Sequence, residues 1–251
     1  MGGYTIIHAK RQRLTIPTTM SNPYFSFKQF NIKQDRCAMK VGTDGVLLGA
    51  WAEGGRHILD IGTGTGLVAL MMAQRYADAE VTGIEIDDKA AAQAKENAAA
   101  SPFSGRVRIE AVSLQTFTCD TPFDAITCNP PYYDNSLNCP DESRNTARHT
   151  TSLSYAELIT HSKRLLTDDG TLNLVLPTDC LKSIELECAY ASMFIKDRLL
   201  ISTTERKQPK RVLLTIKKAL PPHPTCQTAV LTQDGQRSEW YKELTADFYL
   251  D

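Results

Sequence analysis

Residues 128–133 read Cys-Asn-Pro-Pro-Tyr-Tyr and close an apolar run, Phe123-Asp124-Ala125-Ile126-Thr127, with one amide, two prolines and two aromatic rings. Proline has no N–H and biases the residue before it toward extended backbone, so this turn presents acceptors without competing donors. The Asn129 side-chain oxygen and the Pro130 carbonyl can together take both N–H bonds of one exocyclic amine. On a purine such an amine is a poor nucleophile, because its lone pair is delocalised into the ring. Two acceptors favour a pyramidal nitrogen whose lone pair can face an electrophile. Pro131 stiffens the turn. Tyr132, with Tyr133 beside it, can stack on a base swung out of its helix, at about 1–3 kcal/mol. The work required is positioning, with no dedicated base. A Pro-Pro turn with buried tyrosines would explain PPY alone, but not its company.

That company is Asp60-Ile61-Gly62-Thr63-Gly64-Thr65-Gly66, between an apolar run and a helical pattern. Glycines there allow a tight turn and close approach of a ligand to a helix N-terminus. Glu85 ends the next strand-like run, where a carboxylate accepts both ribose hydroxyls. The spacing is G-x-G-x-G, and the third glycine of a dinucleotide fingerprint would fall at Leu67. Asp60 also sets an anion before the loop, which hinders a pyrophosphate and suits an ammonium or sulfonium. S-adenosylmethionine carries both cations and no phosphate. Cofactor contacts are therefore assigned to Asp60, Gly62, Gly64, Glu85, Ile86 and Asn129, and to Ser113 and Leu114 after the third strand. The adenine contact at that last place is usually acidic. Serine can still bond the adenine amine, or Gln115 can substitute.

The elements needed to hold these residues are visible as alternating patterns. Strands are expected at 57–62, 79–87, 107–112, 123–128 and 171–176, with helices at Leu67–Tyr76, from Asp88 as N-cap to about Ala100, near 154–166 and near 179–191. Two long strands near 194–202 and 210–217 follow, joined by a short break, and 238–250 reads as a helix. The expectation is an α/β fold, a Rossmann-like doubly wound, mostly parallel seven-stranded sheet with an antiparallel edge hairpin. Residues 20–251 form one domain in this reading, and 1–19 an extension whose Lys10, Arg11 and Arg13 either do nothing or touch RNA.

The chain has 251 residues, 42% hydrophobic and 23% charged, with a formal net charge of −1. Near neutrality gives no global attraction to nucleic acid, so such a partner needs a local basic patch. The segment 134–152 supplies Arg144 and Arg148. The sequence ERKQPKR (205–211) supplies Arg206, Lys207, Lys210 and Arg211 at the hairpin between the last two strands. His149 reads as a surface residue. Seven cysteines, an odd number without C-x-x-C, suit a reducing cytoplasm, and no metal ligand set is evident. No stretch approaches the roughly 18 apolar residues of a membrane span.

With DIGTGTG, Glu85 and NPPY together, the sequence resembles class I methyltransferases carrying an N-P-P-Y motif. Two subfamilies compete, one acting on a glutamine amide of release factors and one on the adenine 3′ to the anticodon of tRNA(Val). The glutamine enzymes carry a helical N-terminal domain, for which the early start of this core leaves no room. FKQF (27–30), DRCAMKVGTDG (35–45), LLGAWA (47–52), NPPYY and ARHTTSL (147–153) are similar to the tRNA(Val) (adenine-N6)-methyltransferase family from Phe27 onward. The resemblance implies a tRNA partner, and Lys40, Thr43 and Asp44 closing over the methyl donor; a monomer is expected. KVGTDG also reads as a tight turn opening a helix.

Overall fold

Buried apolar runs build the centre of the molecule, which a computed structural model describes over residues 22–37, 39–130 and 153–250. β3 (His57–Ile61), β4 (Glu80–Glu85), β5 (Val107–Ala111) and β6 (Phe123–Cys128) are parallel, ordered β6-β3-β4-β5. β7 (Leu166–Pro177) lies parallel to β6, and β9 (Arg211–Lys217) runs antiparallel between β7 and β8 (Phe194–Ser202). Successive strand side chains face opposite ways. On β7, Val175 meets one core while Leu172, Leu174 and Leu176 meet the other. Helices α1 (Thr43–Trp51), α2 (Leu67–Arg75), α3 (Asp88–Ala99) and α6 (Glu239–Thr245) cover the first face. Helices α4 (Tyr155–Leu165) and α5 (Leu181–Tyr190) cover the second.

The sheet has eight strands, not seven. The additional one is β10 (Thr225–Val230), parallel to β8, so the β8–β9 hairpin lies one strand in from the edge. Its sequence, TCQTAV, gives no apolar alternation because four of its six residues are exposed. A second unanticipated element is the hairpin of β1 (Tyr24–Ser26) and β2 (Asn31–Lys33). It is held by Phe27 stacked on Phe30, with ring centroids 4.9 Å apart, and by Lys28 N–H donating to the Phe248 carbonyl. A short hairpin, β11 (Thr232–Gln233) with β12 (Gln236–Arg237), precedes α6.

Helix starts follow their capping residues. The cap of α3 is Asp87, one residue before the expected Asp88: its side chain accepts Ala90 N–H at 2.8 Å, while Asp88 complements the dipole in the first turn. Ser154 and Glu157 form a reciprocal capping box on α4. Among the described residues no helix is long and apolar enough to cross a membrane, and no group of three or more metal-ligating side chains gathers.

Candidate active site

The chain leaves β3 toward β4 and β5 on one side and later returns to place β6 on the other. That makes the ends of β3 and β6 the switch point of the sheet, where ligands of open α/β folds bind. A cleft of about 440 Å³ opens there. The β3 loop gives it Gly62 and Gly64, the end of β4 gives Glu85 and Ile86, and the turn after β5 gives Ser113, Leu114 and Gln115. Asn129 and Pro130 arrive from β6. Seven of the residues assigned to a cofactor from sequence thus line one cleft, and Asn129 stands beside the glycine loop, since Cys128 pairs with Ile61.

Gly62 and Gly64 hold φ of +65° and +54°, a left-handed backbone that side chains resist. Three of the loop's donors are spent within the protein. Thr63 N–H bonds the Ile84 carbonyl at 3.0 Å, Gly66 N–H the Thr63 carbonyl at 2.8 Å, and Gly64 N–H the Glu85 carboxylate at 2.9 Å. A phosphate-binding loop needs free N–H groups pointing at the ligand, so this one suits a nucleoside without phosphate. The other Glu85 oxygen accepts Asp87 N–H at 3.0 Å. A carboxylate has about four acceptor sites, which leaves two for hydroxyls.

Asp60 does not face the cleft. It is buried, with Oδ2 accepting from the Thr63 hydroxyl at 2.6 Å and Oδ1 from the Thr127 hydroxyl at 2.8 Å. It braces the loop from behind and ties β3 to β6. Burial pushes its carboxyl up from 3.8 to about 6, against the pull of the two hydroxyls. A folded-state value above the ordinary one means that the group favours the fold when protonated. Its contribution is complete below pH 3.8 and is lost as pH rises through about 6. Urea unfolding of wild type and Asp60→Asn should therefore show the variant gaining on wild type between about pH 4 and 6. A stability gap that stays constant across that range would exclude this account.

Lys40, Thr43 and Asp44 also lie off the cleft wall. Asp44, in the first turn of α1, is ion-paired with Arg211 at the start of β9, so these two residues, given separate ligands by sequence, hold each other. The next residue, Gly45, packs on α2, where a Cβ would come 3.0 Å from Leu67 Cδ2, and lies near Asn129, whose Nδ2 would be 4.0 Å from that Cβ. The start of α1 thus lies beside the Asn129 turn. Arg206, Lys207 and Lys210 are exposed on the turn between β8 and β9, which Thr178 anchors to the carboxyl end of β7 by its hydroxyl on the Pro209 carbonyl at 3.0 Å. They stand on the cleft's side of the sheet. Pro131, Tyr132, Tyr133, Arg144 and Arg148 lie outside the described residues.

Sequence reasoning missed the wall made by Arg36, Cys37 and Met39. This strap is stitched to α3. Asn97, buried, accepts Lys33 N–H at 2.9 Å and donates to the Lys33 and Thr65 carbonyls, and Gln93 accepts Arg36 N–H at 3.1 Å. The unpaired amide demands of Gln93 and Asn97 on the inner face of an alanine-rich helix were the available signal. Burial, then Glu85 and Asp87, pushes the Cys37 thiol up to about 11, and burial raises Cys128 as well, so neither cleft cysteine is a nucleophile at neutral pH.

A doubly wound sheet with a phosphate-averse glycine loop and an acidic strand end defines a Rossmann-like methyltransferase domain. Residues 41–189 match the model of the methyltransferase small domain. A predicted O-methyltransferase from Agrobacterium tumefaciens superposes with a TM-score of 0.62 at 21% identity, over 82% of this chain and 96% of that one. A glycopeptide N-methyltransferase solved with S-adenosyl-L-methionine gives 0.52 at 12% identity, over 72% of this chain and all of that one. These two likenesses concern the fold. Sequence similarity is much closer to proteins named tRNA1(Val) (adenine(37)-N6)-methyltransferase. That of Phocaeicola vulgatus is 46% identical over 92% of this chain and 100% of its own length, and that of Mannheimia succiniciproducens 40% identical over 90% and 94%. The chain belongs to the tRNA1(Val) (adenine(37)-N6)-methyltransferase family.

Proposed function

We propose that this protein transfers a methyl group from S-adenosylmethionine to the N6 amine of an adenine in tRNA, the one 3′ to the anticodon of tRNA(Val). The observation that carries the reading is the identity of 46% with a relative so named, spanning that relative's whole length. The cleft fits the methyl donor: it has acceptors for a ribose at Glu85, an exposed apolar surface at Ile86, and a glycine loop with few donors left for phosphate. When bound, S-adenosylmethionine supplies an electrophilic methyl on a sulfonium.

The chain's residues supply the geometry. The Asn129 side-chain oxygen and Pro130 carbonyl accept the two N–H bonds of the target amine and turn its lone pair toward the donor side of the cleft. Pro131, Tyr132 and Tyr133 are assigned to the base from the sequence alone, with the two tyrosines to stack on it once extruded. The start of α1 lies beside Asn129 at Gly45. Arg144, Arg148, Arg206, Lys207 and Lys210 hold phosphates. Arg211 holds Asp44, and through it the orientation of the basic turn. The six described cysteines are all free, which suits a cytoplasmic protein, and we take it to act as a monomer.

The reading is tested with labelled methyl donor and bulk tRNA from cells lacking the protein, followed by nucleoside analysis. Label in N6-methyladenosine is expected, and label in release factor instead would move the assignment to a glutamine amide. A second expectation concerns RNA contact. Arg206→Ala, Lys207→Ala and Lys210→Ala together should weaken tRNA binding and flatten its salt dependence by about two units, since each lost phosphate contact retains its counterions. Arg211 is left intact, because its removal would strip Asp44 of its partner. An unchanged salt slope would show the turn to be solvated surface only.

A further inference from the structure

The adenine end of the cleft raises a question that the spacing of residues left open, since a serine stands where an acidic group is usual. Ser113 is committed locally. Its hydroxyl lies 2.9 Å from the Thr116 hydroxyl, and its carbonyl accepts Thr116 and Phe117 N–H at 3.2 and 3.0 Å. It closes a turn. Gln115, two residues on, lines the same cleft and is held from outside: its Nε2 donates to Glu157 Oε1 at 3.2 Å. The other Glu157 oxygen accepts the Ser154 N–H at 3.0 Å and the Ser154 hydroxyl at 2.7 Å, so the carboxylate is fixed at the start of α4. These bonds, led by the Ser154 hydroxyl, hold the Glu157 carboxyl below its ordinary range, so at neutral pH it only accepts.

An acceptor-only partner decides how an amide lies. The NH2 of Gln115 must face Glu157, which leaves Oε1 as the acceptor that this cleft-lining residue can offer a ligand. A purine bearing a 6-amino group offers the matching donor, and one bearing a 6-oxo group offers a second carbonyl. Ile86, 63% exposed on the same wall, gives the ring an apolar face to lie on.

We infer that Gln115 reads the 6-amino group of the cofactor's adenine, with Glu157 as the positioning residue that fixes its amide. The inference rests on the S-adenosylmethionine reading above and adds to it the residue that selects adenine over hypoxanthine.

Calorimetric titration with S-adenosylhomocysteine and its 6-oxo analogue, S-inosylhomocysteine, tests it. Wild type should prefer the adenosyl compound by about tenfold or more, since the analogue loses one hydrogen bond and opposes two carbonyls. Gln115→Ala should bring the two affinities within about twofold of each other. Glu157→Ala should lose most of the preference, because the freed amide can turn its NH2 toward a 6-oxo group. Ser154→Ala, which leaves the Glu157 carboxylate held by the Ser154 N–H alone, should keep more of it than Glu157→Ala does, separating amide orientation from helix stability. Ser113→Ala should keep the preference. Full discrimination in Gln115→Ala, or its loss in Ser113→Ala, would overturn the inference and leave the cofactor reading standing. A wild type that binds neither compound would overturn both.

Discussion

Asn129→Ala is expected to lower single-turnover methyl transfer to tRNA by about two to three orders of magnitude, the scale seen when one preorganised polar group is removed from a reacting centre. Affinity for the methyl donor should stay within several-fold of wild type. The split follows from where the side chain works. The ribose and adenine ends of the cleft are built by Glu85, Ile86 and the turn after β5, and none of them needs the amide. Asn129 works on the target amine, and its loss removes one of two acceptors that turn the nitrogen lone pair. The cost therefore falls on the chemical step, while the Pro130 carbonyl remains. The fold should tolerate the change, because Asn129 is only half buried. Rapid-quench kinetics with calorimetry on the same variant checks both halves. A near-normal rate would remove Asn129 from the mechanism, and a matching loss of donor affinity would make it a cofactor ligand instead.

What could be read in advance divides along sequence distance. β3 and β6 announced themselves as short apolar runs because both of their faces are buried, and the edge strand β5 by alternation, with Val107 and Ile109 inward and Arg108 and Glu110 exposed. The glycine loop and Glu85 were readable together because consecutive elements of one βαβ unit bring them to one place at a fixed separation. β10 was not readable: it gains its place from pairing with β8 and buries little. Arg36, Cys37 and Met39 reach the cleft only because Gln93 and Asn97 on α3, some 60 positions later, bind the strap's backbone. Asp44 and Arg211 are 167 residues apart, so each was assigned a ligand of its own when the fold had paired them.

Asp60 is the instructive case. The expectation of an anion near a sulfonium placed it in the cleft, yet it shares a strand face with the buried Ile58, two residues before it. Alternation along β3 therefore turned it away from the ligand, and two threonine hydroxyls, Thr63 and Thr127, were available to meet it. Those same bonds set the loop that carries Gly62 and Gly64. The residue stays at the site while acting from behind it.

Glu85→Ala should weaken methyl-donor binding by at least about a hundredfold. Two hydroxyl bonds to a charged acceptor contribute about 1.5–3 kcal/mol each, and the part exposure of the site argues for the lower end. The structure adds a second reason. The same carboxylate accepts Gly64 N–H and Asp87 N–H, so its loss also frees the glycine loop and the entry to α3. Glutamine is not a gentle replacement here. Its NH2 would have to face one of those two donors, so Glu85→Gln should also bind poorly. Direct contact and loop support are separated by a 2′-deoxy analogue of S-adenosylhomocysteine. Wild type should bind it less well than the parent compound, whereas Glu85→Ala should bind the two alike, because the partner of that hydroxyl is already gone. If Glu85→Ala still discriminates against the deoxy compound as wild type does, the ribose is held elsewhere. Glu85 would then be a brace for the loop, as Asp60 is, and the hydroxyl contact would have to be sought among the other residues of the cleft wall.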